Sequence, residues 1–230
     1  MPFKPNPMSL DPVSRPKVSD QVYAALHAQI VDLSLPPGTR MSELDVARAV
    51  GVSRQPVRDA FYRLAQQGFV DIQPQRATSV SPISVERVMQ ARFVRTAVEV
   101  ETIKAASRKV TEADLQRLRE TLEQQVAAVN NDEKSRFHAL DDGFHQEICM
   151  ISGHSYAWQI ISENKAHLDR ARLLSLSFNL EQTLEEHLRI MTALEESNPE
   201  ECEKRMRRHL SRLVEEIGRI QQENPSYFSV

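Results

Sequence analysis

Residues 52–64 have the sequence VSRQPVRDAFYRL, which predicts a helix with a polar, basic beginning. Ser53 is a suitable N-cap, and Pro56 falls within the first turn, where a missing N–H costs nothing. Arg54 and Arg58 lie one helical turn apart on one face. A different face is apolar at helical spacing and consists of Val57, Ala60, Phe61 and Leu64. We therefore predict a helix that buries one face and presents paired arginines near its N-terminus.

The preceding residues supply the other helices of a helix-turn-helix. A first helix begins near Val18 and ends before the Pro-Gly segment 35–38. Ser42 then caps a short helix, with Asp45 as its capping-box partner, and Gly51 ends that helix. The apolar positions of the first helix recur at helical spacing: Val22, Tyr23, Leu26, Ile30 and Val31.

The residues that follow predict a wing. Segments 68–72 and 78–80 have the pattern of two short strands around a turn at 74–76. In a winged helix-turn-helix, the second helix begins with small polar and arginine side chains because these reach phosphates and base edges in the major groove. The alternative is a helical hairpin whose arginines are merely solvated.

This region resembles the winged-helix domain of the GntR family of bacterial transcription regulators. The resemblance rests on residues 37–38, 43–44, 52–60, 64 and 68. It implies that Arg76 in the wing enters the minor groove. The wing tip has Arg76-Ala77-Thr78 where many members have a glycine, and Leu44 occupies a place where the fatty-acid-responsive members have a DNA-contacting arginine. The resemblance also implies that operator DNA is contacted by Ser53, Arg54, Gln55 and Arg58.

Proline and glycine are distributed unevenly along the 230 residues. Ten of the 12 prolines lie at or before Pro82, and only Gly143 and Gly153 lie between Pro82 and Pro199. Sheet-rich folds need more turn residues than this, and phosphate-binding Rossmann or P-loop domains need clustered glycines. The C-terminal two-thirds is therefore predicted to be helical.

Composition also limits the class of protein. Cys149 and Cys202 are too few for a disulfide framework, no apolar run approaches the roughly 20 residues of a membrane span, and prolines interrupt the N-terminus where a signal peptide would be apolar. We expect a cytoplasmic protein with no membrane partner.

The net charge of −3 is distributed unevenly along the chain. Residues 1–80 carry +2 (9 basic, 7 acidic) and residues 81–230 carry −5 (20 basic, 25 acidic). The positive balance of residues 1–80 permits DNA binding by that region.

The predicted fold class is mainly α, with an N-terminal winged helix-turn-helix followed by an all-α bundle of six or seven helices. Helix start and stop signals place the bundle helices at 84–108, 111–129, 134–152, 155–177, 180–196 and 199–222. The predicted organisation is a flexible leader (1–16), a DNA-binding domain (17–81), a helical effector- and metal-binding domain (82–223) and a tail (224–230).

Three histidines of the bundle face inward by their spacing. His145, His187 and His209 each lie on the apolar face of a different helix, and Asp141 lies one turn before His145. One carboxylate and three imidazoles form a plausible ligand set for a divalent metal such as zinc. Spacing leaves Asp142 and His138 as competing ligands and Cys149 as a core residue, and motifs of hydrolases and metalloproteases are absent.

The same residues resemble the FCD ligand-binding domain of the FadR-type branch of the GntR family. The matching segments are 141–145, 186–194, 206–210 and 95–99, and His187 and His209 are separated by 22 residues as in the family. The resemblance implies that a small carboxylate effector completes the coordination of a metal. Its implied metal ligands are Asp141, His145, His187 and His209.

Arginine is the natural anchor for that carboxylate, because guanidinium matches a carboxylate bidentately. Arg95 is the first candidate and Arg92 the second, while a solvated salt bridge is the alternative for either. His154 stands where family members often have asparagine, and it either lines the pocket or caps the next helix.

The sequence thus predicts a homodimeric transcription regulator that reads a palindromic operator and responds to a small carboxylate. We expect it to act as a repressor and not to be an enzyme. One alternative is a metal-dependent hydrolase or other enzyme acting on a small organic acid. Another is a structural DNA-binding bundle without an effector, which would leave the inward histidines unexplained.

Overall fold

The computed structural model describes residues 16–73 and 77–229, and for 176–178 the backbone only. Most of the predicted leader and the wing turn with Arg76 lie outside the described residues. The chain divides into two compact units: one comprises the residues up to Ile30 together with Gly38–Ser81, the other Val31–Pro37 together with the chain from Pro82. The predicted fold class, a winged helix-turn-helix followed by a helical bundle, is confirmed.

The first unit contains three helices and a small antiparallel sheet. Its elements are α1 (Val18–Val31), β1 (Arg40–Met41), α2 (Glu43–Val50), α3 (Arg54–Gln66), β2 (Val70–Asp71) and β3 (Thr78–Val80). The strand order is β1-β3-β2, with Arg40 opposite Ser79 and Val70 opposite Val80. The sequence predicted β2 and β3 but not β1, because two residues carry too little alternation to be recognised.

Local capping sets the turn between α2 and α3. The Ser42 hydroxyl accepts a hydrogen bond from the Asp45 N–H at 3.1 Å, as predicted. Gly51 adopts the left-handed conformation, with φ of 70°, and ends α2. Ser53 occupies the N-cap position of α3, but its hydroxyl makes no capping bond. The apolar faces of α1 and α3 are buried, and they comprise Val22, Leu26 and Ile30, and Val57, Ala60, Phe61 and Leu64.

The second unit is a bundle of six α-helices in the residues described from 82 onward. These are α4 (Val85–Ser107), α5 (Glu112–Asn130), α6 (Lys134–Ile151), α7 (Tyr156–Asn164), α8 (Ala166–Glu195) and α9 (Pro199–Glu223). Thr111 and Asp114 form a capping box at α5, and the Asn198 side chain caps α9. Every helix in the described part of the chain is too short or too polar to cross a membrane.

Two predicted helix boundaries are corrected by the structure. The predicted helix 155–177 is interrupted at Lys165, which separates α7 from α8. The predicted break at Asn179 is instead a kink within α8, where Asn179 has a non-helical backbone (φ −140°, ψ 15°). Lys165 is buried, and its ammonium group pairs with Asp142 at 2.7 Å and with Asp169. The pair with Asp142 joins distant positions and leaves no local signal in the sequence.

The chain end packs into the second unit. Residues 224–230 were predicted as a tail, but Phe228 is buried in an apolar cluster with Ile83 and Ile220. The Ile83 N–H donates to the Tyr227 carbonyl at 2.7 Å, and the Ser229 N–H donates to the Ile83 carbonyl at 3.2 Å. The described end of the chain is therefore part of the bundle's apolar core.

Candidate functional sites

The predicted DNA-contacting residues that the structure describes lie together at the beginning of α3. Ser53, Arg54, Gln55 and Arg58 are all exposed. Glu43, the first residue of α2, pairs with both arginines: its carboxylate accepts from Arg54 Nη2 at 2.9 Å and from Arg58 Nε at 2.9 Å. The hydrogen bonds from Arg58, and then from Arg54, hold the pKa of Glu43 below its usual value. Glu43 thus fixes two exposed guanidinium groups side by side.

In the bundle, the four predicted metal ligands come together at one buried point. Asp141 and His145 come from α6, His187 from α8 and His209 from α9, and all four are buried. One ligand atom of each lies within 4.8 Å of the others. His145 Nε2 is 3.2 Å from His209 Nε2, and His187 Nε2 is 3.4 Å from Asp141 Oδ1.

Each imidazole has an oxygen partner for its other ring nitrogen. His187 Nδ1 is 2.8 Å from Gln125 Oε1 on α5, and His209 Nδ1 is 3.1 Å from Glu186 Oε2 on α8. The third contact joins His145 Nδ1 to Glu99 Oε2 on α4. Oxygen atoms in this position are typical of metal-binding histidines, because they fix the ring orientation and the tautomer.

The two glutamates decide which nitrogen of their histidines carries the proton. Burial alone would raise the pKa of both carboxyl groups, but Arg95 and His145 outweigh it at Glu99, and His209 and Arg212 outweigh it at Glu186, so both pKa values are lowered. An ionised carboxylate can only accept hydrogen bonds. Nδ1 of each partner histidine is therefore the protonated nitrogen, and Nε2 of a neutral ring carries a lone pair.

The atoms that converge at this point are stabilised when a proton or a metal ion lies between them. Nε2 of His145 and Nε2 of His209 face each other at 3.2 Å with lone pairs, which is repulsive unless they share a positive charge. His187 Nε2 and Asp141 Oδ1 are buried without a hydrogen-bond partner among the described residues. Burial lowers the pKa of His187, and lowers that of His209 to about 3, so both rings are neutral near pH 7. This group can bind a metal ion.

Two arginines stabilise the acidic side of the cluster. Arg172 Nη2 contacts Asp141 Oδ2, and although burial opposes ionisation, Arg172 holds the pKa of Asp141 well below its usual value. Arg95 Nε contacts Glu99 Oε1, and Arg95 Nη2 lies 4.0 Å from Asp141 Oδ2. Asp141 is therefore a charged carboxylate held in place for a cation.

The competing ligands suggested by spacing form a separate group. His138, Asp142 and Asp169 lie near one another, but the ammonium group of Lys165 is 2.7 Å from Asp142 Oδ2 and also pairs with Asp169. This cation neutralises the site where a metal would bind. Cys149 is buried, with its thiol 3.9 Å from the Thr102 hydroxyl, and burial raises its pKa to about 12.

A cleft adjoins the histidine cluster and is rich in arginine. His209 lines it, and so do the predicted carboxylate anchors Arg92 and Arg95. His154 lies elsewhere: it is exposed and lines a different surface depression with Val98. The structure therefore does not bring His154 together with the other predicted effector-binding residues. The remaining lining residues include Arg172, Ser175, Asn179, Thr183, Arg212 and Glu216.

Sequence reasoning missed several residues that complete the cluster. Gln125 is fully buried in α5. A polar side chain at a buried position would have indicated its role, but the burial of a single position cannot be read from the sequence. Arg172 and Arg212 lie in helices that also contain exposed arginines, such as Arg189 in α8 and Arg208 in α9, so the residue type alone did not mark them. Glu99 and Glu186 fall within the segments that carried the resemblance, but their contacts with His145 and His209 appear only in the folded chain.

The fold and the first site define a class of protein: a winged-helix DNA-binding protein with a C-terminal helical unit. The family model described as "Bacterial regulatory proteins, gntR family" matches residues 18–80, and the model described as "FCD domain" matches 90–212. This chain belongs to the GntR family of transcription regulators, with a C-terminal FCD domain. Members of this family are regulators and not enzymes.

Known relatives agree over nearly the full length. The transcriptional repressor RspR of Escherichia coli K12 is 37% identical over 214 residues, covering 92% of this chain and 94% of that protein. An uncharacterised regulator in an unstable DNA locus of Streptomyces ambofaciens is 34% identical, covering 90% and 88%. The structure of E. coli McbR/YncC superposes with a TM-score of 0.71 at 20% identity, covering 90% of this chain and 98% of that one, and so shows the same fold.

We expect the Arg172→Met substitution to lower the free energy of unfolding of the metal-free protein by about 3–5 kcal/mol at pH 7.5, because it leaves Asp141 charged and buried without its counterion. In the wild type, the lowered pKa means that the contribution of Asp141 is present above about pH 4 and is lost only at lower pH. In the variant, burial raises the pKa of Asp141, so proton uptake relieves the unpaired charge as the pH falls.

The deficit of the variant should therefore shrink between pH 7.5 and pH 5, as measured by urea denaturation. Arg189→Met is the matched control, because Arg189 pairs with Glu185 on the surface and should change stability little at either pH. An Arg172→Met deficit of equal size at both pH values would contradict the assignment.

Proposed function

We propose that the protein is a homodimeric transcription repressor whose affinity for a palindromic operator is controlled by a small carboxylate effector bound beside a zinc ion. The observation that carries this proposal is the orientation of three imidazoles by Glu99, Gln125 and Glu186, beside an arginine-lined cleft. A buried structural histidine also needs hydrogen-bond partners, but here the remaining nitrogens of three oriented rings converge beside one carboxylate.

The donor set favours zinc among the divalent metals. Three imidazole nitrogens and one carboxylate oxygen are ligands that zinc accepts, at metal–ligand distances of about 2.0–2.2 Å. Ligands at that distance in a tetrahedron lie roughly 3.4 Å apart, close to the separations of 3.2 and 3.4 Å between the paired ligand atoms here. Asp141, His145, His187 and His209 would hold the ion, which would supply a Lewis-acidic centre for a carboxylate oxygen.

The effector site is proposed in the cleft that His209 shares with Arg92 and Arg95. Arg95 is the first anchor, because its Nη2 is buried without a hydrogen-bond partner in the described part of the chain and can donate to a carboxylate. Arg92 is the second, with its Nε donating to the Leu210 carbonyl at 3.0 Å and the rest of its guanidinium available at the cleft. Both charges favour an anion.

The DNA-binding half rests on the beginning of α3. Ser53, Arg54, Gln55 and Arg58 are exposed there, and Arg76 is proposed to enter the minor groove from the wing. One recognition helix reads one half-site, so a palindromic operator implies two copies of the chain. Repression is the activity named for RspR and is proposed here on that likeness. The effector would act by binding one conformation of the dimer more tightly than the other.

For the metal site, we expect His187→Ala to weaken zinc binding by more than about 100-fold, because it removes a ligand. His138→Ala is the matched control, since His138 belongs to the group neutralised by Lys165. The measurement is calorimetric zinc titration of protein purified without a histidine tag and stripped with a chelator. Equal zinc affinity in the two variants would mean that zinc binds elsewhere or that the protein has no zinc site.

For the orientation of the ligands, Gln125→Leu should lower zinc affinity by about 10–100-fold, because the His187 ring loses the acceptor that Gln125 Oε1 provides for Nδ1. Gln124→Leu is the control at the next position of α5, where the side chain is exposed. Unchanged zinc affinity in Gln125→Leu would show that the contact with His187 is only structural.

For DNA binding, the operator is first selected with the wild-type protein from a random DNA pool. Replacing both Arg54 and Arg58 by Ala should weaken binding to that fragment at least about 30-fold, since each base contact contributes about 1–3 kcal/mol. A double variant of Arg189 and Arg207, which are exposed arginines of the bundle, controls for the loss of two positive charges. Specific binding by the Arg54 and Arg58 variant would overturn the DNA-binding assignment.

A further inference from the structure

We infer that Glu43 is a specificity-determining residue, whose carboxylate positions the Arg58 guanidinium so that its outer edge reads a guanine in each operator half-site. This inference rests on the proposed function, because it assumes that the beginning of α3 enters the major groove. Glu43 lies on α2, outside the set of residues proposed to contact DNA. It would act on base recognition through Arg58, without touching a base itself.

Glu43 holds Arg58 by one complete edge of the guanidinium group. Oε1 of Glu43 accepts from Arg58 Nε at 2.9 Å, and Oε2 accepts from Arg58 Nη2 at 3.0 Å. Two parallel hydrogen bonds between planar groups fix the orientation of the guanidinium as well as its position. Both partners lie in helices, Glu43 in α2 and Arg58 in α3, so the contact is anchored at each end by regular backbone.

These hydrogen bonds leave the outer edge of Arg58 for DNA. A guanidinium has five N–H donors, and the contact with Glu43 uses the one on Nε and one of the two on Nη2. The outer edge consists of Nη1 and Nη2, and it is the fork that donates to O6 and N7 of guanine in the major groove. The Arg58 side chain remains 51% exposed while it is held in this way. Its ordering is completed before DNA binds, which favours a precise contact.

Arg54 is held by the same carboxylate, but less completely. Its Nη2 donates to Glu43 Oε2 at 2.9 Å, a single hydrogen bond that leaves the guanidinium able to rotate. Two guanidinium groups one helical turn apart repel each other, and a carboxylate between them reduces that repulsion. Of the two arginines, Arg58 is therefore the oriented one and the better candidate for reading a base.

The place of Glu43 in the first turn of α2 accounts for only part of this arrangement. An acidic residue is favoured there by the helix dipole, and Asp45 provides one as well, beside the Ser42 cap. The dipole does not require both oxygens of Glu43 to accept from arginines of α3. Exposed ion pairs contribute little to stability, so the contact matters chiefly for what the arginines meet.

A carboxylate at a DNA-binding surface weakens binding that is independent of sequence. The phosphates repel it, and it offsets one of the two positive charges of Arg54 and Arg58. If it also orients the arginine that reads a base, it increases the difference in affinity between the correct sequence and the others. Removing the carboxylate should therefore lower discrimination without weakening non-specific binding.

The first test is Glu43→Gln in the full chain, with binding measured by fluorescence anisotropy. The probes are the operator fragment selected by the wild type and a scrambled duplex of equal composition. We expect the ratio of the two affinities to fall at least about 10-fold, as for the loss of one guanine contact. The scrambled duplex should bind as tightly as before or a few-fold more tightly, because a negative charge is lost.

Asp59→Asn is the matched control for this loss of charge. Asp59 is an exposed residue of α3 that accepts from Gln55 Nε2 at 2.8 Å, and asparagine keeps an acceptor for that bond. Its affinity ratio should stay close to that of the wild type. An unchanged ratio in Glu43→Gln, or an equal fall in both variants, would overturn the inference.

A scan of the half-site tests the role of Glu43 in positioning Arg58. Each base pair is replaced symmetrically in both half-sites, and the series is measured with the wild type, Arg58→Ala and Glu43→Gln. Arg58→Ala should lose the preference for one G·C pair, and Glu43→Gln should lose it at that same pair and keep the others. Relaxation at other pairs, or at none, would overturn the inference. If Arg58→Ala keeps every preference, the proposed DNA contact of Arg58 fails as well.

Glu43→Asp separates the position of the carboxylate from its charge. The shorter side chain withdraws the carboxylate by about 1.5 Å, one C–C bond, which is enough to break contacts of 2.9 and 3.0 Å. We expect relaxation at the pair that Arg58 reads, with wild-type affinity for the scrambled duplex because the charge remains. Wild-type discrimination in Glu43→Asp would show that the charge alone is sufficient and would overturn the positioning role.

Discussion

The imidazole rings of His145, His187 and His209 are held with their Nε2 atoms toward one buried point, and the bundle is arranged around that constraint. The oxygens that orient them come from α4, α5 and α8, while the rings come from α6, α8 and α9. Five helices therefore have to be in register for the lone pairs to converge. Buried polar groups are expensive unless each is satisfied, so the cluster specifies one packing of the helices. Its cost is offset where a cation satisfies the atoms that the protein leaves without partners.

Helix α8 connects this cluster to the cleft. Its residues Arg172, Ser175, Asn179, Thr183 and His187 lie at intervals of three or four, which places them along one face. Asn179 interrupts the helical backbone in the middle of this row. The kink changes the direction of the helix between Arg172, which contacts Asp141, and His187, whose Nε2 faces the histidine cluster. Anything bound at the cleft thus contacts a helix that also supplies a ligand of the cluster.

The sequence predicted most of what depends on short-range pattern. Caps such as Ser42 and Asn198 and the apolar faces of α1 and α3 follow from local spacing, and so does the pairing of Asp141 with His145 on one turn. What it could not predict depends on residues distant along the chain. Gln125 meets His187 across 62 positions, and Arg172 meets Asp141 across 31. The helix break at Lys165 was missed because no glycine or proline marks it, and the contact of Lys165 with Asp142 joins residues 23 positions apart.

Charge balance gives the cluster a further property. Three carboxylates (Glu99, Asp141 and Glu186) are paired with three guanidinium groups (Arg95, Arg172 and Arg212), so these ionised side chains balance one another. A divalent ion at this point would leave two positive charges in a region of low dielectric, where an uncompensated charge is costly. A carboxylate in the adjoining cleft would reduce that excess. Since coupling between two bound species is reciprocal, the effector and the metal would each strengthen the binding of the other. Under the proposed function, the anion would therefore bind more tightly when the cation is present.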